Sequence, residues 1–77
     1  MDDQDVLLHI SGLVAEEQAL RADPAEADMN TERIRRIEVA LDQCWDLLRQ
    51  RRAKRDAGQD PDAAQVRDGD TVEKYLN

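Results

Sequence analysis

Residues 41–55 read Leu41-Asp42-Gln43-Cys44-Trp45-Asp46-Leu47-Leu48-Arg49-Gln50-Arg51-Arg52-Ala53-Lys54-Arg55, and this stretch decides the fold of the chain. It contains the only tryptophan and the only cysteine. Apolar residues before and within it are spaced alternately by three and four positions, which is typical of a helix that packs along a partner helix; they are Ile34, Ile37, Leu41, Cys44 and Leu48. Because a basic end follows directly, we predict a long helix that packs against a partner and then projects past it.

This long helix is expected to span about residues 31–57. Asn30 is a favourable N-cap, and Met29 and Ile34 have the spacing of a hydrophobic staple around it. Gly58 supplies a stop at the other end. Ala40 and Leu47 form a second apolar edge, so the helix has more apolar surface than a single partner helix needs.

The N-terminal part carries another apolar stripe at helical spacing, formed by Val6, Ile10, Leu13 and Leu20. A carboxylate of Asp2 or Asp3 is expected to cap this helix and to suit the positive end of its dipole. Pro24 disfavours helical backbone in the residue before it, so the helix is expected to span about residues 3–22. The following polar connection has a length that is normal between two packed helices.

The C-terminal part is expected to be an extension, residues 59–77, that follows a hairpin made by residues 1–58. Asp60-Pro61-Asp62 predicts a turn. Asp70 and Glu73 have capping-box spacing, which predicts a short helix near residues 71–76. The predicted fold class is all-α: an antiparallel helical hairpin with a short C-terminal helical segment, assembling into an oligomeric helix bundle.

The expectation of an oligomer comes from size and composition. The chain has 77 residues, of which 3% are aromatic and 38% are charged, so a single copy has little core to bury. One cysteine cannot form an internal disulfide, and no His/Cys cluster suggests a structural metal. Association between copies is the remaining way to add stability. The predicted interface consists of Leu41, Cys44, Trp45, Leu47 and Leu48.

Charge is distributed unevenly along the chain, whose net charge is −7. Residues 1–32 carry a net −8, residues 33–55 a net +5, and residues 56–77 a net −4. In an antiparallel hairpin the longer second helix places its basic end past the start of the first helix, close to Asp2, Asp3 and Asp5. This end is a candidate partner-binding site for an acidic protein surface, formed by Arg49, Arg51, Arg52, Lys54 and Arg55.

The leading function predicted from these features is a small non-catalytic interaction or scaffold protein. One alternative is a nucleic-acid-associated accessory protein that uses the basic end on phosphates. Nucleic acid is disfavoured as a partner because the sequence pI is about 4.5 and no aromatics interleave the arginines. We predict no membrane partner, because no apolar run is long enough to cross a bilayer. The acidic start differs from a secretory leader, so the expected location is the cytoplasm.

The second alternative is a metal- or redox-linked enzyme subunit that uses His9, Glu17 and Cys44. Cys44 is better interpreted as a small buried hydrophobe, and His9 has no visible nucleophile partner. Glu17 lies in an apolar stripe and needs a partner, for which Arg33 or Arg36 is within reach. A carboxylate line on the second helix, formed by Glu38, Asp42 and Asp46, is interpreted as a solvated face that pairs with nearby arginines. We therefore expect no catalysis, no metal and no cofactor.

Four parts of the sequence carry a resemblance to a known family. The first is the start, with Met1-Asp2-Asp3, Val6-Leu7, His9-Ile10 and Gly12-Leu13-Val14-Ala15-Glu16-Glu17, and the second is the run from Leu41 to Arg52. The third comprises Ala57-Gly58, Asp60-Pro61 and Val66-Arg67, and the fourth is the closing Val72-Glu73 and Tyr75-Leu76. In these the chain resembles a family of short actinobacterial proteins of unknown function. The resemblance implies an intracellular bacterial protein with no assigned activity, and it supplies no catalytic residues.

Overall fold

The computed structural model describes residues 2–22 and 27–76, and the side chains of residues 2–22 and 29–72. The described residues contain three α-helices: α1 (Asp3–Arg21), α2 (Ala27–Asp56) and α3 (Gly69–Leu76). A short 3-10 turn, Pro61–Ala63, lies between α2 and α3, and no strand occurs in these ranges. The predicted all-α class is confirmed, whereas assembly into an oligomer stays a prediction.

Helix α1 begins as its sequence predicts. The backbone N–H of Asp5 donates to the Asp2 carboxylate at 2.9 Å, and the N–H of Asp2 donates to the Asp5 carboxylate at 3.0 Å. This reciprocal capping box satisfies two of the amide groups that a helix start leaves unpaired. The helix ends at Arg21, where the N–H of Ala22 donates to the carbonyl of Gln18 at 3.0 Å. The predicted stop at Asp23 and Pro24 lies outside the described residues.

Helix α2 begins earlier than predicted. It starts at Ala27, so Asn30 lies inside the helix and its assignment as the N-cap was wrong. The sequence between Pro24 and Asn30 contains no residue that breaks a helix, so helical backbone can start before the strongest local capping signal. The predicted stop is confirmed: α2 ends at Asp56, and Gly58 takes a left-handed φ of 72°.

The two long helices are antiparallel, and the ion pairs between them show it. Asp3 at the start of α1 pairs with Arg51 near the end of α2, whereas Arg21 at the end of α1 pairs with Glu38. Between these pairs lies a small apolar core. It consists of Val6, Ile10 and Leu47, with Leu41, Cys44, Leu48 and Ala64 packed against it.

The C-terminal segment packs on α2. Val72 of α3 is completely buried, and Gly69 lies so close to Val39 that an added Cβ would come within 2.6 Å of its Cγ1. Asp68 caps α3, because its carboxylate accepts from the backbone N–H of Thr71 at 2.8 Å. The assignment of Asp70 as the cap was therefore wrong by two residues, and α3 starts at Gly69 rather than near residue 71.

The molecule is flat and elongated. Its extents are 50 × 25 × 14 Å, and its radius of gyration is 14.5 Å, against about 11.5 Å for a compact domain of this length. Its accessible surface is 5620 Å², whereas a compact monomer of this mass exposes about 4,800 Å². The helices thus form a single layer, although domains usually bury their apolar faces between two layers.

Candidate interaction surface

Helix α2 is the central element of the layer, and its sides meet different surroundings. Helix α1 packs along one side. The covered flank, defined by Gln43, Asp46, Leu47 and Gln50, contacts the C-terminal segment. The open flank, defined by Leu7 and Val14 of α1 and Trp45 of α2, has no described segment against it.

Polar side chains attach the C-terminal segment to the covered flank. Arg67 donates through Nε to Asp46 Oδ2 at 2.9 Å and through Nη2 to Oδ1. Gln50 also donates to Asp46 Oδ2 at 2.9 Å and to the carbonyl of Gln65 at 2.8 Å. Gln43 donates to the carbonyl of Arg67 at 3.0 Å. The bonds from Arg67 to Asp46, from Gln50 to the Gln65 carbonyl and from Gln43 to the Arg67 carbonyl each involve a particular atom of the segment, so together they hold it in one register.

Asp46 is the centre of this attachment and is only 1% exposed. The Arg67 guanidinium holds the pKa of the Asp46 carboxyl below its usual range, and the hydrogen bond from Gln50 acts in the same direction against the effect of burial. The interpretation of Glu38, Asp42 and Asp46 as one solvated line was therefore wrong for Asp46. The partner that permits its burial is 21 residues away in sequence.

The second apolar edge of α2, formed by Ala40 and Leu47, is covered at Leu47 by the C-terminal segment of the same chain. Leu47 is only 6% exposed. A cavity of about 190 Å³ lies between α1, α2 and the C-terminal segment; it is lined by Val6, His9, Ala40, Gln43, Cys44, Leu47 and Val66. The premise that this edge needs a second copy to cover it was wrong for Leu47, because residues 64–66 pass beside it.

The open flank can be located from one ion pair. Leu7, Val14 and Arg21 are spaced by seven residues and share one face of α1. Glu38 and Trp45 are also seven residues apart and share one face of α2. Because Arg21 donates to Glu38 at 2.6 Å, these two faces are on the same side of the hairpin.

Three large apolar side chains are therefore exposed together on that side. Leu7 is 45%, Val14 39% and Trp45 48% exposed in the single chain. Leu41, Cys44 and Leu48 are each half-buried between α1 and α2. Of the five residues predicted from the sequence as an interface, Trp45 is the most accessible and Leu47 the least. Their role as an interface stays a prediction.

The basic end of α2 is only partly free. Arg51 is 7% exposed, and it donates through Nε to Asp3 Oδ1 at 2.6 Å and through Nη1 to Asp62 Oδ1 at 2.9 Å. Arg51 also reaches the carbonyl of Pro61 at 3.3 Å. The expectation that the whole block projects beyond the hairpin was wrong for Arg51, which ties α1, α2 and the 3-10 turn together.

Asp3 is the acidic partner of this end. It accepts from Arg55 at 3.0 Å as well as from Arg51, and these two hydrogen bonds lower the pKa of its carboxyl. Asp2 and Asp5 instead cap α1. Arg49 and Arg52 are exposed and make no ion pair among the described residues, and Lys54 is half-buried.

Glu17 has a different partner from the predicted one. It accepts from Arg21 at 3.4 Å, within the same helix. Arg33 instead pairs with Glu16 at 2.7 Å. Arg36 lies 3.7 Å from Glu32. The expected pairing of Glu17 with Arg33 or Arg36 was wrong because the neighbouring carboxylate of Glu16 lies on the side that faces Arg33.

The residues of the metal or redox alternative are only partly brought together. His9 and Cys44 line the same cavity, whereas Glu17 pairs with Arg21 elsewhere. Burial raises the pKa of the Cys44 thiol, which disfavours the thiolate that nucleophilic or redox chemistry requires. Within residues 2–22 and 27–76, no group of three His, Cys, Asp or Glu side chains is arranged to hold a metal ion. No described helix is long and apolar enough to span a membrane.

The geometry defines a small all-α protein with an open apolar flank. Over residues 2–77 the chain matches the family described as "Protein of unknown function (DUF2630)", and it belongs to that family. It is 53% identical over 77 residues to the uncharacterized proteins Rv0898c of Mycobacterium tuberculosis and Mb0922c of Mycobacterium bovis. In both comparisons the match covers 95% of this chain and 88% of the relative. No solved structure matches the chain.

Proposed function

We propose that this chain is a small non-catalytic interaction module that associates with itself through the open flank. The observation that carries the proposal is the joint exposure of Leu7, Val14 and Trp45 on one side of a single helical layer. A group of large apolar side chains on one exposed face is typical of a protein–protein contact site. Tryptophan in particular is enriched among the residues that dominate the energy of such contacts.

The shape supports the same proposal. The accessible surface of 5620 Å² exceeds that of a compact monomer of this mass by about 800 Å². That excess is similar to the roughly 800 Å² that each partner buries in a protein interface of standard size. A second layer of helices laid on the open flank would supply the cover that the single layer lacks.

The basic end of α2 supports binding to nucleic acid less well. Two of its five cations, Arg51 and Arg55, are already bonded to Asp3. The remaining three belong to a chain of net charge −7, which phosphate repels at distances beyond direct contact. Binding of a separate acidic protein at this end stays a prediction, with Arg49 and Arg52 as its exposed residues.

Sedimentation velocity from low to high micromolar protein tests the proposal, and the chain offers a matched pair of variants. Leu7 is on the open flank, whereas its neighbour Leu8 is 66% exposed on a different face of α1. We expect the wild type to associate and Leu7→Ala to weaken association roughly tenfold or more, since each copy loses about 1.5 kcal/mol of apolar contact. Trp45→Ala should weaken it further.

Leu8→Ala is the control and should leave association unchanged. A wild type that stays monomeric and folded over the whole concentration range would contradict the proposal. Equal weakening by Leu7→Ala and Leu8→Ala would also contradict it, because the contact would then not be specific to the open flank.

A further inference from the structure

We propose that the partner of the open flank is a second copy placed antiparallel, with the two α2 helices crossing at Trp45 and with Arg52 of each copy paired to Glu38 of the other. This inference rests on the proposed self-association and specifies its geometry. It follows from the order of charges along α2, from their availability and from the symmetry that homodimers adopt.

The charges on α2 are arranged symmetrically about Trp45 and have opposite signs on its two sides. Glu38 lies seven residues before Trp45, and Arg52 lies seven residues after it. Seven residues are close to two helical turns, so all three side chains share one face, each charge about 10 Å from the tryptophan. Asp42 precedes Trp45 by one turn and Arg49 follows it by one turn, with the same signs as the outer pair.

This order is self-complementary only for antiparallel helices. A two-fold axis through Trp45 brings the residue seven positions before it in one copy to the residue seven positions after it in the other. Arg52 then meets Glu38 twice, and Arg49 comes close to Asp42 twice. In a parallel pair with the same register, each charge would meet its own copy, and like charges placed opposite each other disfavour that arrangement.

Three of the four charges needed for these pairings are exposed in the single chain, and the fourth, Asp42, is half-buried. Arg49 and Arg52 are exposed and make no ion pair within the described residues. The Glu38 side chain is 51% exposed, and its Oε1 accepts from Arg21 at 2.6 Å. A carboxylate accepts several hydrogen bonds, so Glu38 can keep Arg21 and also take an arginine from outside.

The resulting interface has the anatomy of known symmetric dimers. A two-fold contact uses the same surface patch of both copies. Here Trp45, Leu7 and Val14 form the apolar centre, and the charged residues form a polar rim around it, as is typical of protein interfaces. The rim determines the direction of the helices, and the apolar centre supplies most of the affinity.

Charge reversal tests this geometry because it distinguishes one pairing from general charge effects. Arg52→Glu alone places a glutamate against Glu38 in both pairings, and Glu38→Arg alone places an arginine against Arg52. We expect each variant to associate roughly tenfold or more weakly than the wild type, since two favourable pairs become two repulsive ones. Circular dichroism verifies that both variants keep their helices.

Mixing the two single variants is the decisive arm. A heterodimer of Arg52→Glu with Glu38→Arg has opposite charges at both pairings, so native mass spectrometry should show it well above the half expected for random exchange. The double variant Arg52→Glu/Glu38→Arg should regain most of the association of the wild type. Arg36→Glu is the control, because Arg36 lies with Glu16 and Arg33 along the opposite groove of the hairpin; it should not change association.

The outcomes separate this inference from the proposed function. A monomeric wild type overturns both. A wild type that associates through Leu7 and Trp45, with a heterodimer fraction of half and no effect of the single charge variants, overturns only the antiparallel pairing. Equal weakening by Arg36→Glu and Arg52→Glu also overturns it. If the open flank binds a different protein and the chain does not self-associate, the proposal that a second copy occupies the flank is wrong.

Discussion

The covered flank of α2 and its open flank differ in what the chain places against them. On the covered flank, an ion pair and two glutamine amides hold residues 65–67, and Leu47 is buried beneath that segment. On the open flank, Trp45 is two residues from Leu47 and remains half exposed. Both flanks have apolar residues at their centre. The polar side chains of the covered flank bond to the C-terminal segment, whereas on the open flank Glu38 pairs with Arg21 of α1, and Arg49 and Arg52 have no ion pair among the described residues.

The comparison shows why one apolar edge does not by itself indicate an oligomer. The edge with Leu47 is covered by an extended segment of the same chain. Such a segment needs no helical periodicity in its sequence, because its backbone carbonyls accept hydrogen bonds from side chains of the helix. The edge with Trp45 lacks such amide donors and is bordered by charges instead. A flank with apolar residues inside a charged border is suited to a folded partner rather than to an extended segment of the same chain.

The largest effect that separates the flanks is expected from Leu47→Ala. Removing a buried leucine should lower the free energy of unfolding by about 3 kcal/mol. Trp45→Ala should lower it by less, about 2 kcal/mol, at concentrations where the protein is monomeric, since half of the indole is in water there. Urea unfolding at low and at high protein concentration measures both. If both variants lost the same free energy of unfolding at low protein concentration, Trp45 would be as buried in the monomer as Leu47, which would contradict the structure.

The next effect concerns the polar attachment of the covered flank. Asp46→Asn should lower the free energy of unfolding by about 2 kcal/mol, less than for a fully buried ion pair because water can reach the Arg67 side chain. Asp42→Asn is the control, one turn earlier and without an ion pair in the described residues; it should change stability little. A loss of the same size at Asp42 would contradict the role given to Asp46.

The same pair predicts how stability depends on pH. The pKa of Asp46 is lower in the folded protein than in the unfolded chain, so at acid pH the unfolded state binds more protons and stability rises with pH. The stabilisation that the ionised Asp46 carboxylate provides is complete above the pKa of Asp in the unfolded chain, about 3.9. It is lost as the pH falls through the lower pKa that Asp46 has in the folded protein. Denaturant titrations of wild type and Asp46→Asn should therefore converge as the solution becomes more acidic than this, and parallel curves would contradict the assignment.

A smaller effect is expected at the basic end. Arg51→Gln should lower the denaturant midpoint, because Arg51 joins Asp3 and Asp62 across three segments of the chain. Arg52→Gln, at the next position and without an ion pair to any described residue, should leave the midpoint of the monomer unchanged. The two variants have the same change in charge, so a difference between them measures position rather than net charge. A drop at Arg52 equal to that at Arg51 would contradict the structure.

The hairpin itself was predictable from the sequence, because its signals are local or periodic. The apolar spacing before Trp45, the capping carboxylate of Asp2 and the stop at Gly58 each act within a few residues of the feature they determine. Asn30 was the exception among the local signals. A cap competes with the propensity of the residues before it, and at Ala27 the helix had already begun.

The arrangement of the candidate site was less predictable, because it depends on the path of residues 59–72. The burial of Asp46 requires Arg67, and the burial of Arg51 requires Asp62, each brought near by a segment with no periodic pattern. The sequence did offer one signal: Arg67 is a basic residue in a segment, residues 56–77, whose net charge is −4, which favours an ion pair with a carboxylate of the hairpin. Predicting whether Glu16 or Glu17 pairs with Arg33 also requires the rotation of α1 about its own axis relative to α2. The spacing of the apolar residues determines that rotation only approximately.

The smallest expected change in stability is that of Glu17→Gln, which removes the carboxylate that pairs with Arg21. Glu17 contacts Arg21 at 3.4 Å, and the Arg21 side chain is 54% exposed, so the lost ion pair should cost no more than about 0.5 kcal/mol. Glu16→Gln is the matched control, since Glu16 pairs with Arg33 of the other helix at 2.7 Å with both side chains well exposed. Its loss should also be small, and both losses should shrink with added salt. Denaturant midpoints at low and high ionic strength measure these changes. A large loss for Glu17→Gln that salt leaves unchanged would show that Glu17 lies in a water-excluded contact, as a second copy seated on the flank beside Arg21 would create.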